Sequence, residues 1–100
     1  MKAVVIEEDG TEYDVTPNAG WNDKAEESYG FTLEEMQGFV RDEKGNEMVE
    51  HVDFPDGSEM YLNEEGKLNG LDINDKATAI WVKHYGTTDV IVGNVLYIHN

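Results

Sequence analysis

Met48-Val49-Glu50-His51-Val52-Asp53-Phe54-Pro55-Asp56-Gly57-Ser58-Glu59-Met60-Tyr61-Leu62-Asn63 is the stretch that decides the fold. Its first and last thirds alternate apolar with polar residues, the pattern of a half-buried strand. Between them, proline presets φ for a turn and glycine accepts positive φ, so Pro55-Asp56-Gly57 joins two antiparallel neighbours. Met48, Val52 and Phe54 are expected on the core face of the first strand, and Met60 and Leu62 on that of the second.

Upstream, Thr32 and Glu35 match a capping box, in which the hydroxyl accepts from an amide near the helix start and the glutamate reaches back. Leu33, Met36, Phe39 and Val40 then fall on one face of a short helix that ends before Asp42-Glu43-Lys44-Gly45-Asn46. Residues 17 to 31 read as an irregular loop, with room for one helical turn around Lys24-Ala25-Glu26-Glu27. Before it, Ala3-Val4-Val5-Ile6 and Glu12-Tyr13-Asp14-Val15 flank a glycine turn as a hairpin.

Downstream, Asn74-Asp75 is a cap for a second helix with Ala77, Ile80, Trp81 and His84 on one face and Gly86 as its stop. Residues 90 to 98 are β-branched and aromatic around Gly93-Asn94, consistent with a type II′ hairpin or with one bulged strand. The expected fold is a single α+β domain over residues 1–100, a mostly antiparallel sheet of about five to six strands with two helices packed on it.

Composition narrows the class. The 100 residues carry 22 acids against 7 bases, a formal charge of −15, yet 39% are apolar and 10% aromatic. An acidic disordered tail lacks that much apolar surface. With no cysteine, disulfides and thiolate zinc sites are excluded. No apolar run reaches the roughly 18 residues of a membrane span, and the short run after Met1 is not a signal peptide. A soluble cytoplasmic protein is therefore expected. The charge is uneven: residues 1 to 65 hold 19 acids and 4 bases, residues 66 to 100 hold 3 of each. An acidic surface beside a nearly neutral one follows.

Motifs for chemistry are sparse. Asn63-Glu64-Glu65-Gly66-Lys67-Leu68-Asn69-Gly70 sets a lysine between glycines, but it lacks the spacing of a phosphate-cradling loop and has Leu68 where a magnesium-binding hydroxyl is needed. Its structural reading makes Gly66 and Gly70 positive-φ positions and lets Leu68 and Leu71 pin the loop to the core. Asp42 to Glu47 and Asp53 to Glu59 both miss the spacing of a calcium loop. His51, His84 and His99 lie on different elements, so a metal or nucleophilic site from them requires the fold to bring them together. Ser28 and Ser58 lack a nucleophile elbow. No enzyme, no metal and no cofactor is expected.

Residues 59 to 74, with Ala77-Thr78 and Asp89-Val90-Ile91-Val92-Gly93-Asn94, resemble a family of small phage, plasmid and integrative-element proteins classed as domain of unknown function 3846. Lys2-Ala3-Val4-Val5-Ile6-Glu7 and Thr32-Leu33-Glu34-Glu35-Met36 resemble its leading strand and first helix. The chain departs from it at Pro17 to Gly30, longer than the usual link, and at Asp42 to Asn46, in place of a Gly-Gly pair. The resemblance implies a cytoplasmic accessory protein of a mobile element and brings no reaction, substrate or cofactor.

Two functions fit these residues. In one, the acidic face of residues 1 to 65 binds a basic, nucleic-acid-binding host protein as a DNA mimic does. Duplex DNA carries one charge per ~1.7 Å, so the net charge equals that of about 25 Å of duplex. Direct nucleic-acid binding is not expected, because Arg41 and six scattered lysines form no basic patch. In the other, the Asn63 to Asn74 loop holds a small molecule or nucleotide, with Asn63, Glu64, Glu65, Gly66, Lys67, Asn69 and Asn74 as its residues and the helix start attracting an anion. Trp21, with Tyr29 and Phe31, is either an exposed anchor for a partner or a cover for the sheet.

Overall fold

A computed structural model describes residues 1–25, 28–86 and 89–100. Strands β1 (Lys2–Ile6) and β2 (Glu12–Val15) form the first hairpin, and β3 (Val49–Asp53) and β4 (Glu59–Asn63) the second. Helix α1 (Leu33–Val40) lies between the hairpins, and α2 (Asp75–Tyr85) and β5 (Val95–His99) follow them. The sheet order is β2-β1-β5-β4-β3, every pair antiparallel. The last strand thus joins the two hairpins, pairing Val95 with both Ile6 and Leu62 at one end and Ile98 with Ala3 and Glu59 at the other.

Each face of the sheet has its own helix. Ala3, Val5, Tyr61, Leu96 and Ile98 point one way and pack with Met36 of α1 and Phe31. Ile6, Met60, Leu62 and Val95 point the other way and pack with Ala77 of α2, Phe54 and Ile91. Period-two alternation therefore puts neighbouring residues into two different cores. All five residues of β4 are buried in consequence. Tyr61 is a core residue as much as Met60 and Leu62, although alternation alone assigns it outward.

Local signals act where expected. Thr32 Oγ1 accepts from the Glu35 amide at 3.1 Å, and Glu35 Oε1 accepts from the Thr32 amide at 3.1 Å, completing the capping box. Burial opposes charge on Glu35, but amides of Thr32 and Asn18 outweigh it and hold this carboxyl below its ordinary value. Asn74 caps α2 through the Ala77 amide, and Gly86 ends it in the left-handed conformation.

Other expectations are corrected. Leu33 sits in the first turn of α1 and is 59% exposed, leaving Met36 and Val40 as the buried positions. Met48 precedes β3 and is 54% exposed, so the alternation begins one residue later, with Val49. Residues 90 to 98 are neither a hairpin nor one bulged strand. Val92 forms a lone bridge with Ile73, and the Gly93 amide donates to Asp72 O, so this segment runs beside the chain entering α2. Gly93, at φ 76, then turns into β5, where a Cβ would lie 2.8 Å from Leu71 Cδ1. In the 17 to 31 loop, a 3-10 turn falls at Ser28–Gly30; the helical turn expected around Lys24 to Glu27 includes Glu26 and Glu27, which lie outside the described residues. Trp21 meets Phe31 edge-on with centroids 5.7 Å apart, and Phe31 meets Phe39 likewise at 5.9 Å. Phe31 and Phe39 belong to the core on the α1 face, and Trp21 lies against Phe31 with 38% of its surface exposed.

Candidate functional site

The loop from Asn63 to Asn74 is held by its two asparagines. Asn63 Nδ2 donates to the carbonyls of Val40 and Asn46, both at 3.1 Å, and its Oδ1 accepts from the Glu65 amide at 2.9 Å. Asn74, fully buried, donates from Nδ2 to the carbonyls of Ile6 at 2.9 Å and Gly93 at 2.8 Å. Both amides serve backbone groups that burial has stripped of water, where a lost partner costs the desolvation of whatever remains. These side chains are committed to the fold.

The intervening residues diverge. Lys67 Nζ pairs with Asp89 Oδ1 at 2.5 Å, both side chains more than half exposed. It lines a cleft of about 160 Å³ with Asn63, Glu64, Glu50 and Asp89, smaller than the roughly 300 Å³ at which ligand sites begin. An anion there meets three carboxylates beside a lysine that is already paired. Glu65 and Gly66 line neither this cleft nor the larger one described next. Gly66 has no positive φ, unlike Gly70; it is glycine because a Cβ would stand 2.8 Å from Val92 Cγ2. Leu68 pins nothing: it is 88% exposed at the tip of the loop, and Leu71 alone turns inward.

Asn69 faces a different and larger feature. A cleft of about 430 Å³ opens at the sheet end marked by Ile6 and Val95, between the β1–β2 turn, the segment after α1 and the loop before α2. Glu7, Glu8 and Asp9 come from the first, Asp42 and Glu43 from the second and Asp72 from the third. Against these six stand Arg41 and Lys44. The Arg41 guanidinium is bound to Glu47, with Nη2 2.7 Å from Oε2. Burial raises the Glu8 carboxyl above its ordinary value, and Asp72, Glu43 and Asp9 add to this by repulsion. Asp42 is lowered instead, chiefly by the Asn46 side chain that donates to it at 2.9 Å. The wall of the cleft is therefore anionic and crowded.

A second constellation lies at the opposite sheet end. The hairpin register sets His51 across from Tyr61 and Asp53 across from Glu59, all on the α1 face. His51 Nε2 stands 3.1 Å from Asp53 Oδ1 and 3.4 Å from Glu59 Oε1. Donor atoms of all three lie within 4.8 Å of one another. The His51 ring stacks on Tyr61 at 4.6 Å, and Tyr61 Oη donates to Glu59 Oε2 at 3.3 Å. The Glu59 carboxyl is raised mainly by burial and further by Asp53, with His51, Tyr61 and the Ser28 amide acting against this. Sequence reading by histidine spacing missed this group. The signal was present: His51 and Asp53 are two apart on a strand, and the tight turn fixes Glu59 opposite Asp53. The three histidines themselves are not brought together, since His84 stacks on Phe54 and His99 on Tyr97.

No helix among the described residues is long and apolar enough to cross a membrane. No curated protein and no solved structure matches the chain. The sequence model of the family described as "Domain of unknown function (DUF3846)" matches residues 1–100, and the chain belongs to that family.

Proposed function

We propose that this protein is a non-enzymatic interaction protein whose acidic cleft receives basic side chains of a partner, as an accessory protein of a mobile genetic element acting on a host protein that binds nucleic acid. The observation that carries the reading is the convergence of six carboxylates from three separate loops on one cleft. Carboxylates repel, and their approach raises the free energy of the unbound protein. A partner's lysine or arginine relieves that repulsion while forming charge-assisted hydrogen bonds. Binding energy thus comes partly from a cost that folding has already met.

Size agrees with a DNA-like charge display. The net charge corresponds to about 25 Å of duplex, and the molecule measures 34 × 31 × 21 Å. Such a field steers association and makes it sensitive to salt. The test is affinity capture from host lysate at low salt. A nucleic-acid-processing protein is expected in the eluate, released as salt rises and absent when Glu8, Glu43 and Asp72 are replaced by their amides. Recovery unaffected by salt, or unchanged with the neutralised cleft, overturns the reading.

A further inference from the structure

We propose that His51, Asp53 and Glu59 form a site for a divalent transition-metal ion, of which zinc is the type. It is built on the hairpin at the sheet end opposite the acidic cleft and is independent of the function proposed there. The three residues supply one imidazole nitrogen and two carboxylate oxygens, a donor set that suits zinc and its neighbours in the first row better than magnesium or calcium. A tetrahedral or octahedral ion with bonds of about 2.0–2.2 Å sets adjacent donors about 2.8–3.6 Å apart. The nitrogen-to-oxygen separations of 3.1 and 3.4 Å fall in that range.

The supports for the donors are those of a ligand set. Glu59 has a side chain only 6% exposed, an unusual place for a carboxylate, and it is steadied by the Tyr61 hydroxyl and the Ser28 amide. Tyr61 also fixes the plane of the His51 ring by stacking. Ser28, whose amide reaches Glu59, sits at φ 60, a conformation that non-glycine residues adopt at a cost. Asp53, with a side chain 73% exposed, closes the set from the solvent side and leaves the outward positions for water. A divalent ion offsets the charge of both carboxylates.

The experiment is calorimetric titration of the chelator-treated full chain with zinc chloride, repeated with magnesium and calcium chlorides. One zinc equivalent is expected to bind, with magnesium and calcium failing to displace it at equal concentration. Asp53→Asn and His51→Gln should each weaken zinc by more than about tenfold, since even groups that only orient a ligand are worth that much. Asp53 is exposed, so its variant keeps the fold, checked by an unchanged melting temperature without metal. His84→Gln, which removes a histidine 3.6 Å from a different carboxylate, that of Asp56, should leave binding intact. Absence of stoichiometric zinc binding, or affinity unchanged in both the Asp53 and His51 variants, overturns the site and leaves an ordinary histidine–carboxylate ion pair.

Discussion

At the sheet end marked by Ile6, Val95 and Leu62, six carboxylates from three loops face one cleft; at the end marked by Ala3, Ile98 and Glu59, three donors are held by a single hairpin. The first group depends on long-range brackets such as Asn74, which joins the start of α2 to β1 and to the corner before β5. The second takes its spacing from the strand register of one hairpin. Charge gathered by loops is broad and suits a surface of many cationic groups. Donors set by a ladder lie at fixed spacings and suit one ion.

The sharpest way to break this comparison is to remove what both ends share. Leu96 is fully buried under the α1 face, and Leu96→Ala should cost about 2–5 kcal/mol. Chemical denaturation is expected to show one transition shifted for the whole domain; two separate transitions would mean that the ends fold apart. Next comes Asn74→Ala, which removes a helix cap and orphans two buried carbonyls, at about 2–4 kcal/mol. Hydrogen exchange should speed at residues 71 to 77 and 91 to 94 while the β3–β4 ladder keeps its relative protection. Thr32→Ala should cost about 1 kcal/mol by undoing the capping box, read from the denaturation midpoint.

The smallest effect isolates the cleft. Glu8 is raised, so its proton binds the folded state more tightly than the unfolded one. Stability at this group is therefore lost as pH rises through its folded value, in the window just above 4.5. Glu35 has the opposite sign, and its contribution is lost as pH falls below 4.5. Asp72→Asn removes the leading repulsion on Glu8 and should flatten the upper part of the profile by a few tenths of a kcal/mol, about the size of an exposed charge pair. Melting temperatures between pH 4 and 7 for the two proteins provide the check, and identical profiles would show that Asp72 does not press on Glu8.

Elements written in short range were legible. Thr32 with Glu35 announced α1, Asn74 announced α2, and Pro55-Asp56-Gly57 announced the second hairpin, because caps and turns are satisfied within four or five residues. The position of β5 between β1 and β4 was not legible, since strand order depends on contacts across the whole chain. From that one fact follow the two cores, the burial of Tyr61 and the failure of residues 90 to 94 to form a hairpin. In the candidate loop, Asn63 and Asn74 read as binding residues because they are polar and bound a segment that carries Lys67 between two glycines, whereas burial turns them into brackets. The total negative charge was legible; its focus on one cleft was not, because the three acidic segments lie far apart in the chain.

The most direct measurement is the affinity of a fluorescent lysine- and arginine-rich peptide for two triple variants of equal net charge. In one, Glu8, Glu43 and Asp72 in the cleft are replaced by amides; in the other, Asp14, Asp23 and Glu34 on exposed surface away from it. An acidic cleft that receives basic side chains predicts a loss of binding in the first that clearly exceeds the loss in the second. Equal losses would show that the protein attracts cations by net charge alone and contradict a site in the cleft.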